Sequence, residues 1–505
     1  MPAIFNYKLH GLNKKMARIC VPVCEKGLSA VRSACERASE WADIIELRLD
    51  CLEADPDSGV LNGLQRPVIL TFRPAEQGGC RELGREARMA FWKTQAPRGE
   101  DVWWDLEADL APELSPDWSH TIISHHDFSG VPTNLNEIYE RLAQTPARVL
   151  KIAVQAKDIV DCIPVFQLID RAGSEGREIV AIAMGDAGIT TRILGPSRGA
   201  FLTYGALDDD SATAPGQVNA RKLHSLYHLD EIDSETMVCG LVGLPVMHSV
   251  SPHIHNAALA SEGINGVYLP FEVVDIHSFF KRMVHPRTTE LAWNLRGLSI
   301  TAPHKQAVMP YLDRIESDAT EIGAVNTIVI ENDRLLGYNT DAAGLIDPLL
   351  SRLDSLADKT IAIIGAGGAA RAAIWALQQQ RALITLFARD LAKASQLKVP
   401  SRALASASFK DYDVVINATP LGSGAHIDQT PATQQQLHGA RFVYDLVYNP
   451  METRFLREAR EAGCKTLGGL EMLVAQARIQ FELWTGRKPS PSIMHDTAAA
   501  VLGHR

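Results

Sequence analysis

None of the eight cysteines (Cys20, Cys24, Cys35, Cys51, Cys80, Cys162, Cys239 and Cys464) belongs to a CxxC pair, the spacing on which zinc and dithiol sites are commonly built. Their thin spread reads as free thiols in a reducing compartment, with no metal site. Nowhere does an apolar run reach the roughly 18 residues needed to cross a bilayer. The opening segment MPAIFNYKLHGLNKKMARICVPV has Lys and Arg but no uninterrupted apolar stretch of the kind a secretory leader needs. A cytoplasmic location with no membrane partner is the expectation. Excess positive charge is missing too: 50 Lys+Arg stand against 60 Asp+Glu, a formal net charge of −10. Without a broad basic field there is no nucleic-acid partner to expect, and any anionic ligand must be held by a local cluster. What remains is a composition of 46% hydrophobic and 22% charged residues, which excludes a disordered chain. At 505 residues the length suits about three domains.

From Met16 to Leu207 apolar runs alternate with longer amphipathic stretches. The runs are ARICVPV, ADIIELRLD, PVILTFR, DVWWDLEA, HTIISHHDF, RVLKIAVQ, EIVAIAMG and FLTYGAL. Most of the intervening stretches are long enough for a crossover helix, so the sheet is expected to be parallel. A doubly wound open sheet gives the same local pattern; the count of eight favours a (β/α)8 barrel. Polar residues gather where these runs end: Glu46, Arg48, Arg73, Glu107, His125, His126, Lys151, and Arg192 beyond Met184. In a barrel those ends form the active-site face. A set rich in Arg and Lys suits a small carboxylate carrying several hydroxyls. His125 and His126 point to opposite faces of a strand, and His125 is read as structural.

The pattern changes near Asp233, where a second unit begins. Within it, KTIAIIGAGGAARAAIWAL runs as strand, glycine turn and Ala-rich helix. Gly365, Gly367 and Ala370 occupy the GxGxxG/A places, so Gly365, Ala366, Gly367, Gly368 and Ala369 are expected to cradle the pyrophosphate of a dinucleotide at the helix N-terminus. The next strand, LITLFARD, ends in Arg389 where NAD-specific sites place an acid. Arg389 favours a 2′-phosphate and hence NADP (NADPH); Asp390 either opposes that phosphate or caps the following helix.

These motifs carry a resemblance over nearly the whole chain. The first half resembles type I 3-dehydroquinate dehydratase, through ELRLD, TFRPAEQGG, SHHDF, LKIAV and TAPGQ. The second is similar to shikimate dehydrogenase, through GLPVMHSVSPHIHN, SITAPHK, GAVNT, GYNTD, NATPLGS, DLVYNP and GGLEMLVAQA. The order is that of bifunctional plant enzymes and some bacterial fusions. The resemblance implies a TIM barrel over residues 16–230 and a substrate-binding lobe over 236–340, completed by C-terminal helices in 475–505. A Rossmann NADP-binding lobe covers 341–474.

It also implies roles. Lys151 is the Schiff-base nucleophile, helped by neighbouring cations such as Arg192, and His126 the general acid/base, with Glu46, Arg48, Arg73, Arg192, Thr213 and Gln217 binding the substrate. In the second half Lys305 and Asp341 form the catalytic dyad. Ser249, Ser251, Thr301, Asn326, Tyr448 and Gln476 bind substrate, while Thr419, Gly469 and Met472 join the glycine turn and Arg389 around the cofactor. His248, His253 and His255 lack a carboxylate or Cys ligand at matching spacing and are not read as a metal site. The sequence departs from the families in three places. Gln77 stands where a carboxylate beside the histidine is usual, with Glu76 one residue early; Thr213 replaces Ser; and ARD replaces NRT around Arg389. Two alternatives stay open: quinate dehydrogenase activity in the second half, and a catalytically silent metabolite sensor.

Overall fold

The computed structural model describes residues 17–53 and 58–503. Readings of the extreme N-terminal segment and of residues 504–505 lie outside the described residues. The chain divides into two units, Met1–Thr236 and Met237–Arg505.

All eight apolar runs of the first unit form strands: β1 (Ile19–Val23), β2 (Ile44–Arg48), β3 (Val68–Thr71), β4 (Val102–Glu107), β5 (Thr121–Asp127), β6 (Val149–Gln155), β7 (Glu178–Met184) and β8 (Thr203–Tyr204). They pair in parallel in the order β7-β6-β5-β4-β3-β2-β1-β8. The two ends of this sheet meet where the Phe201 N–H donates to the Ile179 carbonyl at 2.7 Å. The result is a TIM-like barrel closed by a thin seam. Helices Leu28–Ala38, Arg85–Thr94, Leu135–Ala143 and Cys162–Ser174 supply the longer crossovers.

Period two along the strands separates floor from chemistry. Alternate residues run apolar, polar, polar in Ile44–Glu46–Arg48, Ile69–Thr71–Arg73, Trp103–Asp105–Glu107 and Ile122–Ser124–His126. The apolar members pack with Cys20, Val149, Val180 and Phe201 as one interior cluster. Polar side chains are thereby stacked toward the C-terminal mouth, on a dry base.

The cysteines depart from expectation. Cys24, just past β1, and Cys51, just past β2, form a disulfide, and the Cys80 thiol lies 3.2 Å from Cys51 Sγ. Loops following three successive strands end side by side, so sulfurs distant in sequence converge where no CxxC spacing announced them.

The second unit holds two sheets. In the first, β9 (Met237–Gly243), β10 (Gly266–Glu272), β11 (Leu295–Ile300), β12 (Arg314–Ile315), β13 (Thr327–Glu331) and β14 (Arg334–Tyr338) run in the order β10-β9-β11-β13-β14-β12. β13 is antiparallel to both neighbours. In the second, β15 (Thr360–Ile364), β16 (Leu383–Ala388), β17 (Ser401–Ala403), β18 (Val414–Asn417), β19 (Phe442–Asp445) and β20 (Lys465–Leu467) are parallel in the order β17-β16-β15-β18-β19-β20. This is the doubly wound order, with its switch point between β15 and β18.

Helix Asp341–Leu350 buries Leu345, Ile346 and Leu349 in the core of the second sheet. Helix Gly469–Thr485 is continuous through the expected 474/475 join. Met472 in its first turn packs against that core, while Leu470, Val474, Ala477 and Phe481 join Met494, Ala498 and Leu502 of helix Pro491–Gly503 against β9, β10 and helix Ser251–Ser261. A Cβ on Gly344 would lie 2.7 Å from Gln476 Cβ. Glycine there lets the two helices touch, and sets where Gln476 enters the cleft between the sheets.

Candidate active sites

In the barrel, Lys151 stands mid-strand on β6 and is 6% exposed. Its Nζ donates to Asp105 Oδ2 at 2.7 Å and Tyr204 Oη at 2.8 Å, with Glu46 Oε1 at 3.6 Å. The closest ionic partners of the amine are thus carboxylates, Asp105 reaching it from β4, two strands along the sheet, while the nearest cation, Arg73, bonds the same Asp105 oxygen. Arg73 shares the same carboxylate, Nη2 to Asp105 Oδ2 at 2.7 Å, and reaches Glu107 Oε1 at 3.4 Å. Burial opposes ionisation of Asp105, but Arg73 and Lys151 outweigh it and hold its carboxyl well below the usual range. Burial wins at Glu107, which is pushed up to about 7 although Arg73 and Arg88 face it.

Arg73 Nη1 also donates to His126 Nδ1 at 2.9 Å. A guanidinium has no acceptor to offer, so Nδ1 is bare and the neutral imidazole carries its proton on Nε2. Burial first, then Arg73 and Lys151, depress His126 well below its ordinary value.

Arg192 is buried, yet no carboxylate pairs with it among the described residues. Nη2 donates to the Pro215 carbonyl at 3.1 Å, and Nε has no partner. Burial pushes this guanidinium down to about 10. Arg192 faces a cavity also lined by Glu46, Arg48, Arg73, His126, Lys151, Thr213 and Gln217, so every barrel residue expected to touch substrate is brought together. Arg48 is fixed by two hydrogen bonds to Asp50 and one to the Gly78 carbonyl; Gln217 and Thr213 bond each other. The cavity measures only about 50 Å³. Gln77, Gly78 and Phe128 line it as well.

Gln77 lines the same cavity with Oε1 buried and unpartnered, whereas Glu76 is exposed on the other side of a 3₁₀ turn and does not replace it. His125 points away from the cavity. Sequence reasoning passed over Asp105, Tyr204 and Phe128. The charge–aromatic alternation Trp103, Asp105, Glu107 in DVWWDLEA was the available signal for the first.

In the second unit a cavity of about 590 Å³ is lined by Ser249, Ser251, Thr301, Lys305, Asn326, Asp341, Tyr448 and Gln476 on one side and by Ala369, Thr419, Gly469 and Met472 on the other. Lys305 Nζ donates to Asp341 Oδ2 at 2.5 Å, and Asn326 Nδ2 to Asp341 Oδ1 at 2.8 Å. Asp341 opens its helix, where a negative charge is favoured by the exposed N–H groups. Thr340, passed over by the sequence reading, locks Asn326 by N–H donation to Oδ1 at 2.7 Å. Ser249 Oγ donates to Ser251 Oγ at 3.1 Å, and the Ser251 N–H donates back to Ser249. Both hydroxyls therefore sit at the start of helix Ser251–Ser261, on one spot. His255 is buried and stacked on Tyr268 with ring centroids 4.3 Å apart.

Gly365, Ala366, Gly367, Gly368 and Arg389 lie outside that cavity, at the ends of the adjacent strands β15 and β16. Gly365 has φ +116°, and a Cβ there would press on the Ala418 carbonyl at 2.9 Å. Beside Gly367 and Gly368 a Cβ would meet nothing within 4 Å, so bare backbone at a helix N-terminus faces open space. These features fit a dinucleotide pyrophosphate. Arg389 is exposed, and Asp390 accepts the Lys393 N–H at 3.0 Å as a helix cap. Thr419 is set by Asn417, whose Oδ1 accepts its N–H and hydroxyl; Asn417 in turn donates to Asp445.

Comparison with known proteins places the chain in a family. Residues 19–234 match the model of type I 3-dehydroquinase, residues 241–328 that of the shikimate dehydrogenase substrate binding domain, and residues 469–498 that of the shikimate 5′-dehydrogenase C-terminal domain. The chain is 33% identical to the chloroplastic bifunctional 3-dehydroquinate dehydratase/shikimate dehydrogenase of Arabidopsis thaliana, over 96% of this chain and 85% of that protein. It is 39% identical to the NADP(+) shikimate dehydrogenase of Methanococcus maripaludis strain C6, over 52% of this chain and 96% of that one. A solved shikimate dehydrogenase in complex with NADP+ shares 37% identity with a TM-score of 0.50, covering 54% of this chain and 97% of its own. Among the described residues no helix is long and apolar enough to cross a membrane.

Proposed function

This chain belongs to the bifunctional 3-dehydroquinate dehydratase/shikimate dehydrogenase family, and on that premise we propose how its residues divide the two reactions. The enzyme dehydrates 3-dehydroquinate to 3-dehydroshikimate and reduces that product to shikimate with NADPH. Residues 16–230 carry the first reaction. Residues 236–340 with 475–505 hold the second substrate, and 341–474 the cofactor.

In the barrel, Arg192 takes the substrate carboxylate, and the observation that carries this reading is its buried charge with no protein anion to meet it. Lys151 adds to the ketone, its ammonium protons leaving on the water that departs; the iminium formed acidifies the neighbouring C–H bond. His126 takes that proton and returns it to the departing hydroxyl, and water added back to the product iminium frees Lys151. Taking it at Nε2 obliges the imidazole to move its own proton to Nδ1 and give up Arg73, whose charge Asp105 and Glu107 retain.

In the second unit Ser249 and Ser251 hold the carboxylate, with Thr301, Asn326, Tyr448 and Gln476 around the ring. NADPH supplies the hydride when bound, held by the turn Gly365–Ala369 with Thr419, Gly469, Met472 and, at its 2′-phosphate, Arg389. Lys305 gives a proton to the substrate oxygen, and Asp341, steadied by Asn326, keeps that ammonium aimed. A cytoplasmic location remains our reading, and small molecules are the only partners proposed.

The test is one tube containing 3-dehydroquinate and NADPH. NADPH loss matched by shikimate formation is expected. Activity only when 3-dehydroshikimate is supplied would remove the barrel assignment, and silence with both substrates would favour the metabolite sensor. Shikimate should also be oxidised faster than quinate, the reverse ranking marking a quinate dehydrogenase.

A further inference from the structure

Three sulfurs meet at the barrel mouth. Cys24 and Cys51 are bonded, with Cα atoms 5.4 Å apart; Cys80 Sγ lies 3.2 Å from Cys51 Sγ and 3.6 Å from Cys24 Sγ. No other trio of His, Cys, Asp or Glu side chains among the described residues brings ligand atoms so close together. Cysteines that only pack are buried, as Cys20, Cys35, Cys162, Cys239 and Cys464 are, whereas Cys80 is exposed. Packing does not account for three thiols gathered at a wet rim.

We propose that in its reduced form this triad binds a thiophilic divalent cation of the zinc class through three thiolates, the disulfide being its oxidised, cation-free state. Zinc–thiolate bonds of about 2.3 Å in tetrahedral geometry place sulfurs about 3.7 Å apart. Cys80 stands near that spacing from both partners, so only Cys24 and Cys51 have to separate. A dithiol or phosphine reductant delivers two electrons to the Cys24–Cys51 bond, leaving two thiols and the oxidised reductant. The cation then displaces three thiol protons to solvent, with water completing its shell.

The site adjoins the dehydratase machinery. The Cys80 N–H donates to Asp50 Oδ2 at 2.9 Å, Asp50 grips Arg48, and Arg48 donates to the Gly78 carbonyl. A bound cation therefore ties the loop carrying Gln77 to the ends of β1 and β2.

The experiment uses the full chain, reduced with a trialkylphosphine, desalted without oxygen, and titrated with Co²⁺ and then Zn²⁺. One Co²⁺ per chain is expected, with thiolate-to-cobalt charge-transfer and tetrahedral visible bands that Zn²⁺ removes. Cys80→Ser and Cys24→Ser should each bind at least tenfold more weakly, and the oxidised wild type should give no thiolate band. Dehydratase turnover of Cys80→Ser in metal-free buffer verifies that it is folded. A reduced wild type without the charge-transfer band, or folded variants that titrate like it, would overturn the proposal.

Discussion

Replacing Arg192 by Met should stabilise the protein while disabling its first reaction, a combination that a structural arginine cannot give. Burial lowers the Arg192 guanidinium from 12.5 to about 10, so the folded state carries its charge at a cost of about 3 kcal/mol relative to the unfolded chain. The sign is that of a depressed base. The penalty is fully present at pH 7, below the folded value, and fades only as pH rises from about 10 to 12.5. Met fills the space without the charge, and losing the bond to the Pro215 carbonyl takes back about 1 kcal/mol. The net gain of about 2 kcal/mol corresponds to roughly 4–8 °C in Tm for a unit of this size. Two charge-assisted hydrogen bonds to a substrate carboxylate, worth about 1.5–3 kcal/mol each, disappear with the guanidinium. Dehydratase kcat/KM should therefore fall by about 10²–10⁴-fold. Calorimetry on the full chain reads the first effect, and coupled turnover of 3-dehydroquinate the second, with shikimate oxidation in the same sample as the internal control. If Tm and dehydratase activity fell together, Arg192 would be a packing residue; if activity were unchanged, the carboxylate is held elsewhere.

Lys151→Ala should abolish dehydration and leave shikimate oxidation intact, and borohydride added with substrate should fix a mass adduct on Lys151 in the wild type; an adduct on another residue would sink the Schiff-base role. Asp341→Asn should do the reverse, lowering shikimate oxidation by about 10²–10⁴-fold at constant dehydratase rate, on the usual scale for proton-transfer groups; retention of full activity would release Asp341 from the dyad. Arg389→Ala should raise KM for NADPH at least tenfold more than KM for NADH, equal losses meaning that Arg389 does not read the 2′-phosphate. Glu107, held near 7 by burial, keeps a proton in the fold that the unfolded chain releases near 4.5, so it lowers stability as pH rises between those values, by about 3 kcal/mol in all. Urea midpoints for Glu107→Gln should rise relative to the wild type across pH 4.5–7; parallel curves would remove Glu107 as the cause.

The barrel strands were legible because parallel strands are buried on both faces and read as apolar runs wherever they occur. The polar residues at the ends of those runs then marked out Glu46, Arg48, Arg73, His126 and Lys151. Asp105 obeys the same period but lies inside its run, between Trp104 and Leu106, away from the run end where Glu107 stood out. The cysteine trio was out of reach for a different reason: Cys24, Cys51 and Cys80 are 27 and 29 residues apart, and only the equal height of successive strand ends brings them together. Nor can composition reveal that Arg192 has no partner, since an unmet charge is a property of its surroundings. The choice between Glu76 and Gln77 depended on a single 3₁₀ turn, which rotates adjacent residues to opposite sides. In the second unit the glycine turn and the Lys305–Asp341 pair were legible through motif context, while the lock on Asn326 by Thr340 needed coordinates.

On the proposed roles, two lysine–aspartate pairs serve one chain, and their surroundings suit them to different chemistry. Lys151 is 6% exposed, and its amine is already engaged by Asp105, Tyr204 and, more distantly, Glu46. In so dry a site the amine and its covalent adduct are kept from bulk water. Lys305 has a side chain 28% exposed and one aspartate partner, Asp341, at a helix start. An ammonium held there can give up a proton and recover it from solvent, without committing to a covalent bond. Exchanging the lysines' surroundings, rather than the lysines, is therefore what would exchange their roles: a nucleophile needs the enclosure of the barrel, and a proton donor needs the open cleft.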